Sequence, residues 1–504
     1  MSIESFFVDV AQEIGGDSID RSGETCSRYG ESTLPTGERR PSGVLFPAST
    51  AETQAIVRAA NRHKAALWPI STGNNIGLGS RAPVAAGQIV VDLGRRMNRI
   101  LEINDELGYA VVEPGVSFQA LADELKRRGD NLMVSATSGP PLGGIIGNAL
   151  DKGGGYGPYF DHFGMLCGME IVLGSGEIIR TGDGSLGGEQ LLNWHVSKYS
   201  FGPVLDGLFA QSNYGIVTKV GIWLMPRPPV VQSFHFVFPD DGDFGAIIDL
   251  CRPLKMSNFV PTLFRVCNDI YLMGTEETSP EYAVSGGKQA ISLEARRAIQ
   301  KKHGLGAWIV SGAFYGPSAQ AVAPQIERVK AHFGQSGRSR YISHDDAEKI
   351  APLKIAIDAM SGRPGQGELG LLNWRPGGGN SWFLPGTPMQ GAKALELDGL
   401  ARRIYEKHGM DFMVMHVASA RFARGLHVLV WNRANADENQ RADACYRQLS
   451  AEFAARGVSV GRAPTDYQSL HSGMLMSEFR EACSAIKRAL DPNGVIAPGK
   501  YGID

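Results

Sequence analysis

Neither charge sign is in excess in this 504-residue chain, where 50 Lys and Arg stand against 52 Asp and Glu, a formal net charge of −2. That balance gives no electrostatic ground for binding nucleic acid or an anionic membrane. Cysteine is scarce: Cys26, Cys167, Cys251, Cys267, Cys445 and Cys483 are scattered, with no CxxC or CxxCH. The pattern excludes a disulfide framework and points to reduced thiols in a cytoplasmic protein. No His, Cys, Asp or Glu grouping has metal-ligand spacing, so no metal is expected. No uncharged apolar run reaches the length of a membrane span. The opening MSIESFFVDVAQEIGG has early acidic residues and no basic stretch ahead of an apolar one. It reads as an amphipathic first helix rather than a signal peptide. Internal repeats and low-complexity segments are missing as well.

Glycine is what the chain has in quantity, 63 residues. Its length exceeds what one hydrophobic core supports, so two or more packed regions are expected. From about residue 42 to 225, short apolar runs alternate with helical stretches. TAETQAIVRAANRHKA reads as a helix capped by Thr50, and SFQALADELKRRG as a second helix with Phe118, Leu121 and Leu125 on one face. ALWPIS, GQIVVDLG, RILEIND and YAVVEPGV read as strands, and CGMEIVLGSGEIIRTGDG as a hairpin of two alternating strands. This interleaving gives an α+β or α/β region. The segment 138–165 is too rich in turn formers for a regular element. Pro226, Pro228 and Pro229 mark a domain boundary. Beyond it, SFHFVFP, AWIVSGAFYG, MDFMVMHVASA and GLHVLVWN alternate with helices.

WPISTGNNIGLGS, residues 68–80, places Gly73, Gly77 and Gly79 directly after a strand. Such a turn presents several backbone N–H groups to one point and can cradle an anion. It lacks the Lys of a P-loop and is not a GxGxxG motif followed by an acidic residue some twenty positions on, which disfavours a nucleotide kinase or a nicotinamide site. On its own the loop is either a phosphate cradle or a strand-connecting turn.

PISTGNNIGLGS, VVEPGVSFQAL, GNALDKGGGYGPYFDHFGMLCGMEIVLGSGEIIRTGDG, SNYGIVTKVGIWLMP and DPNGVIAPGKYGID stand in order along the chain. Together they resemble the flavoprotein family of vanillyl-alcohol oxidase and 4-cresol dehydrogenase. GLLNWRPGGG, RADACYRQL and APGKYGID are closer to the 4-cresol dehydrogenase flavoprotein subunit. The resemblance implies an α+β, two-domain FAD-binding fold: residues 1–225 completed by 462–504 bind FAD, and an α+β cap of 226–461 covers the flavin. Ser71, Thr72, Gly73, Asn74 and Asn75 match the diphosphate loop. Gly144, Asn148, Gly153 and Tyr156 match the second cofactor segment, Ile216 the adenine-side strand, and Lys500 a C-terminal cofactor contact.

By the same resemblance Arg462 is the active-site arginine that helps hold a phenolate and contacts the cofactor. Arg421 is a second recurrent arginine, Glu368 a candidate acid or base against an ion-pair alternative, and Tyr156 a flavin or substrate contact. The departures carry information too. Leu372 and Asn380 stand where relatives attach flavin through Tyr or His; neither can form that bond, so non-covalent FAD is expected. Leu78 and Gly461 replace the two phenol-site tyrosines. Met415, Arg424 and Val428 replace a glutamate, a histidine and an aspartate, and Trp382 lines the pocket. Such a pocket binds its ring differently, or takes a bulkier or more apolar substrate, or one with a carboxylate for Arg424 or Arg421. His162 and His416 read as packed structural residues.

The expected activity is hydride transfer to flavin N5 from an aromatic alcohol or 4-alkylphenol-like compound, for example a lignin-derived one. A cytochrome or other carrier, or oxygen, is the electron acceptor, and the chain is expected to form a homodimer or larger homo-oligomer. The rivals are an FAD-dependent 2-hydroxy-acid dehydrogenase and a non-catalytic flavin-binding subunit.

Overall fold

The computed structural model describes residues 3–187 and 191–504. Its first helix, Ile3–Ile14, buries Phe6, Phe7, Val10 and Ile14. These pack with Ile56, Val57 and Ala60 of the helix Thr50–His63. That helix begins one residue earlier than its sequence suggests: Ser49, not Thr50, is the N-cap, its side chain accepting from the Glu52 amide. The Thr50 hydroxyl turns to Glu170 instead, at 2.9 Å.

Two sheets follow. One has four strands, in the order Ile19–Asp20, Gly43–Leu45, Ile89–Asp92, Leu67–Ile70, with parallel pairing among the last three. The other has five antiparallel strands, in the order Ile100–Asn104, Tyr109–Val112, Gly215–Trp223, Leu166–Leu173, Ile178–Arg180. The expected hairpin across Gly174–Gly176 is present. Its first strand, however, is buried at every position rather than alternately. A central strand covered on both faces carries apolar residues throughout. The glycine-rich stretch 138–165 contains a helix after all, Ile145–Leu150, whose buried Ile145, Ile146 and Ala149 supply the packing that turn chemistry alone does not.

The chain's end returns to this region. Leu67 donates to Val495 and bridges Ile496, and the Asn213 amide donates to the carbonyls of Ala497 and Ile503.

The middle of the chain forms a separate eight-stranded antiparallel sheet. Its order is Arg340–Ile342, Val230–Phe238, Trp308–Gly316, Phe264–Asn268, Met413–Ala418, Phe422–Trp431, Gly379–Phe383, with Gly386–Pro388 also on Phe422–Trp431. The helices Phe244–Met256, Ala319–Gly334, Gly391–Lys407 and Ala436–Ala454 cover one face, where Val414, Ala418 and Leu429 are buried. The alternating residues Met413, Met415, Val428 and Val430 face the other way, toward Tyr156, Leu371 and Trp374. Period-2 alternation thus gives this sheet one face for its helices and one for the cavity beneath it.

Candidate active site

A cavity of about 710 Å³ runs beneath the cap sheet, lined by segments that are far apart in sequence. Ser71, Thr72, Gly73, Asn74 and Asn75 line it from the first glycine loop, and Gly144, Asn148, Gly153 and Tyr156 from the second. Ile216 comes from the central strand, and Arg462 and Lys500 from the C-terminal part. Glu368, Leu78, Trp382 and Arg424 complete the set of sequence-derived candidates on its wall.

The two loops touch. Asn74 Nδ2 donates to the Leu142 carbonyl at 2.9 Å, and a Cβ on Gly147 would lie 2.3 Å from Ser71 Oγ. Gly73 has φ +67, a backbone state that favours glycine. Among the described residues, no backbone N–H from Thr72 to Ile76 donates to another protein atom. Successive free N–H groups at a turn form an anion nest, and a diphosphate fits that donor set without a Lys. Trp382 ties the cap to this loop by donating from Nε1 to the Ile76 carbonyl at 3.1 Å.

In the second loop, His162 is held between Asn148 Oδ1 at 2.7 Å and Ser135 Oγ at 3.1 Å. Burial pushes its pKa down to about 4, so the ring is neutral and orients Asn148. His416 packs between Phe244 and Trp308, outside the cavity.

Two charged groups bracket the cavity. In the first, Arg462 grips Asp151 through Nη2 at 2.5 Å and Nε at 2.9 Å, and the Tyr501 hydroxyl donates to the other carboxylate oxygen at 2.8 Å. Lys500 lies over the Trp68 ring, 5.1 Å from its centroid; burial lowers its pKa while Asp151 opposes the shift. In the second, Glu368 accepts from Arg265 Nη2 at 2.8 Å and from the Tyr271 hydroxyl at 2.5 Å. Arg265 also stacks over Tyr156, 4.8 Å from the ring centroid. Burial, and then Glu368, push the Tyr156 phenol well above its ordinary value.

Sequence reasoning missed Asp151, Arg265 and Tyr271. Asp151 carried a signal, an acid placed directly before the Lys-Gly-Gly-Gly run, and Arg265 another, a lone arginine in an apolar strand.

Arg424 is built differently. Its row of the cap sheet reads Ser311, Arg265, Val417, Arg424, Gly386 in register, so these side chains share one face. Its Nη1 is buried without a hydrogen-bond partner, and no carboxylate pairs with it among the described residues. The Nη1 atom lies 1.4 Å from where a Cβ on Gly461 would stand.

Comparison with known proteins places this architecture. The 4-cresol dehydrogenase [hydroxylating] flavoprotein subunit of Pseudomonas putida is 36% identical over 494 residues, 97% of this chain and 94% of that one. The chain belongs to the 4-cresol dehydrogenase and vanillyl-alcohol oxidase family. The FAD binding domain family matches residues 41–182. The structure of p-cresol methylhydroxylase with substrate bound superposes with a TM-score of 0.96 at 35% identity, covering 99% of this chain and 97% of that one. The 4-ethylphenol oxidase of Gulosibacter chungangensis gives 0.96 at 30%, covering 100% and 98%. The 1'-carboxy-chondrochloren decarboxylase of Chondromyces crocatus is 30% identical over 93% of this chain and 92% of that one.

As a member of this family the protein is an FAD-dependent oxidoreductase with the two-domain α+β fold. Several family positions lie away from the cavity. Arg421 sits exposed in the turn between the strands Met413–Ala418 and Phe422–Trp431, so it faces solvent rather than the cavity. Met415 is fully buried with its sulfur 3.2 Å from Arg265 Nε, and Val428 is sealed in the core above the cavity. Gly461 contributes space, not a side chain. No helix among the described residues is long and apolar enough to cross a membrane.

Proposed function

We propose that this protein oxidises an aromatic alcohol or 4-alkylphenol-like compound by transferring hydride to FAD that is held without a covalent bond. The observation that carries the reading is one continuous cavity joining a nest of free N–H groups to a pocket with two bracketed charges. When bound, the flavin supplies the hydride acceptor. The chain's residues supply position and charge. In this reading Thr72–Ile76 hold the diphosphate, and Asn148, fixed by His162, and Ile216 position the cofactor along the wall. Arg462 and Lys500 place positive charge where a reduced flavin and an ionised donor gather negative charge. Asp151 fixes the direction of Arg462. Glu368, aimed by Arg265 and Tyr271, stands at the opposite end as the acid or base candidate. Residues 1–225 with 462–504 act as the FAD domain, and 226–461 as the cap.

Leu372 offers no nucleophile at the position where relatives carry their attachment tyrosine. The buried Asn380 amide makes no hydrogen bond and is a very poor nucleophile. One relative acts, by its name, on a carboxylated compound, so the fold is compatible with an acidic substituent.

Acid precipitation of purified protein tests the cofactor reading: yellow colour moves to the supernatant, and colour retained in the pellet contradicts it. Anaerobic mixing with 4-alkylphenols, aryl alcohols and 2-hydroxy acids tests the donor. Bleaching by the aromatic compounds supports the proposal. Bleaching by hydroxy acids alone assigns a hydroxy-acid dehydrogenase, and bound FAD that no donor reduces assigns a non-catalytic flavin subunit. Parallel assays with oxygen and with a dye then identify the acceptor.

A further inference from the structure

We propose that the cavity takes an aromatic substrate bearing a carboxylate, and that Arg424 is the residue that pairs with it. The inference deepens the reading above and rests on it. A guanidinium does not deprotonate in a protein, and burying one unpaired is costly. Two acids act on it from a distance: Asp151, which already holds Arg462 and Tyr501, and Asp161, and neither forms an ion pair with it. Burial and then the like charge of Arg462 work against the Arg424 charge, and Asp151 and Asp161 offset them only in part. Phe422 offers only a ring face, 5.7 Å from its centroid, and among the described residues no carboxylate pairs with Arg424, so the missing anion comes from outside the chain.

The chain also makes room for the group. The 1.4 Å approach of Nη1 to the Gly461 Cβ position means that any side chain at 461 would expel the guanidinium. Leu78 offers no hydroxyl. A planar fork of N–H donors matches the two oxygens of a carboxylate. A carboxylic acid is ionised at neutral pH with a pKa of about 4, whereas a phenol at about 10 is not; only the former arrives with the charge that Arg424 lacks. Val417, Leu426, Leu384 and Phe422 also line the cavity and suit a ring or alkyl body. Arg424 and Arg265 are two strands apart in one row, about 10 Å. A para-substituted ring spans that distance, with its acid group at Arg424 and its other end toward Glu368.

The test is calorimetric titration of the FAD-loaded protein with benzoate and with its uncharged counterpart, benzamide. Benzoate is expected to bind at least tenfold more tightly. Arg424→Gln is expected to weaken benzoate about a hundredfold and leave benzamide unchanged, with FAD absorbance retained as the check on folding. Gly461→Ala keeps the arginine but displaces its guanidinium, and is expected to weaken benzoate as well. Equal binding of the two compounds, or benzoate binding untouched by either variant, overturns the proposal while flavin reduction by 4-alkylphenols still stands. Loss of FAD from Arg424→Gln with the fold intact also overturns it, because the guanidinium would then serve the cofactor. A protein that carries no FAD at all refutes the underlying reading instead.

Discussion

Arg265 and Arg424 stand in one register row on the same face of the cap sheet, with Val417 between them; Arg424 lines the cavity, and Arg265 lies behind Glu368 and Tyr156. Arg265 is sealed from water and fully engaged: Glu368 at 2.8 Å, the Met415 sulfur at 3.2 Å and the Tyr156 ring face. Burial works against its charge, but Glu368 holds it firmly protonated. Arg424 has the same chemistry and the same face, and no carboxylate. The difference is one of purpose. A guanidinium that the fold has neutralised is structural, and one left without a counterion is reserved for a ligand.

The largest expected effect comes from breaking the engaged member. Glu368→Gln strands Arg265 as an unpaired buried charge and is expected to cost about 3–5 kcal/mol of stability, read from urea unfolding. A loss below about 1 kcal/mol would mean that water or Tyr271 compensates the charge and that the two arginines are not opposites. Next, Arg462→Ala removes the positive charge that Asp151 aims into the cavity. Anaerobic flavin reduction is expected to slow about a hundredfold, and unchanged kinetics would take Arg462 out of the mechanism. The smallest effect has the opposite sign. Arg424→Met relieves an unpaired charge and is expected to raise stability by about 1 kcal/mol while harming function, as substitutions at strained functional positions do. A destabilisation of the size seen at Glu368 would show that Arg424 has a structural partner.

The sequence made the glycine-loop end of the cavity readable, and made the opposite end only partly so. Gly73, Asn74 and Asn75 are local signals: a loop with small residues after a strand is read from neighbours in the chain. Asp151 sits in the second glycine-rich segment but shows its role only when Arg462, more than three hundred positions away, folds onto it. The roles of Arg265 and Tyr271 were hidden for the same reason, since the sheet register that brings Arg265 beside Val417 and over Glu368 is set by long-range pairing. Arg421 and Arg424 look alike in RFAR, three residues apart, yet strand alternation and the turn send one to solvent and the other to the cavity. Ser49 and Thr50 differ by one position, a shift that capping rules do not resolve without the backbone.

The most direct test of the contrast between the two arginines is a crystal structure of the FAD-loaded protein soaked with benzoate. The account predicts flavin stretched along both glycine loops, with no bond to Leu372 or Asn380. It also predicts both carboxylate oxygens on Arg424, while Arg265 remains on Glu368. A carboxylate seated elsewhere, or an Arg424 side chain turned out of the cavity, would contradict it.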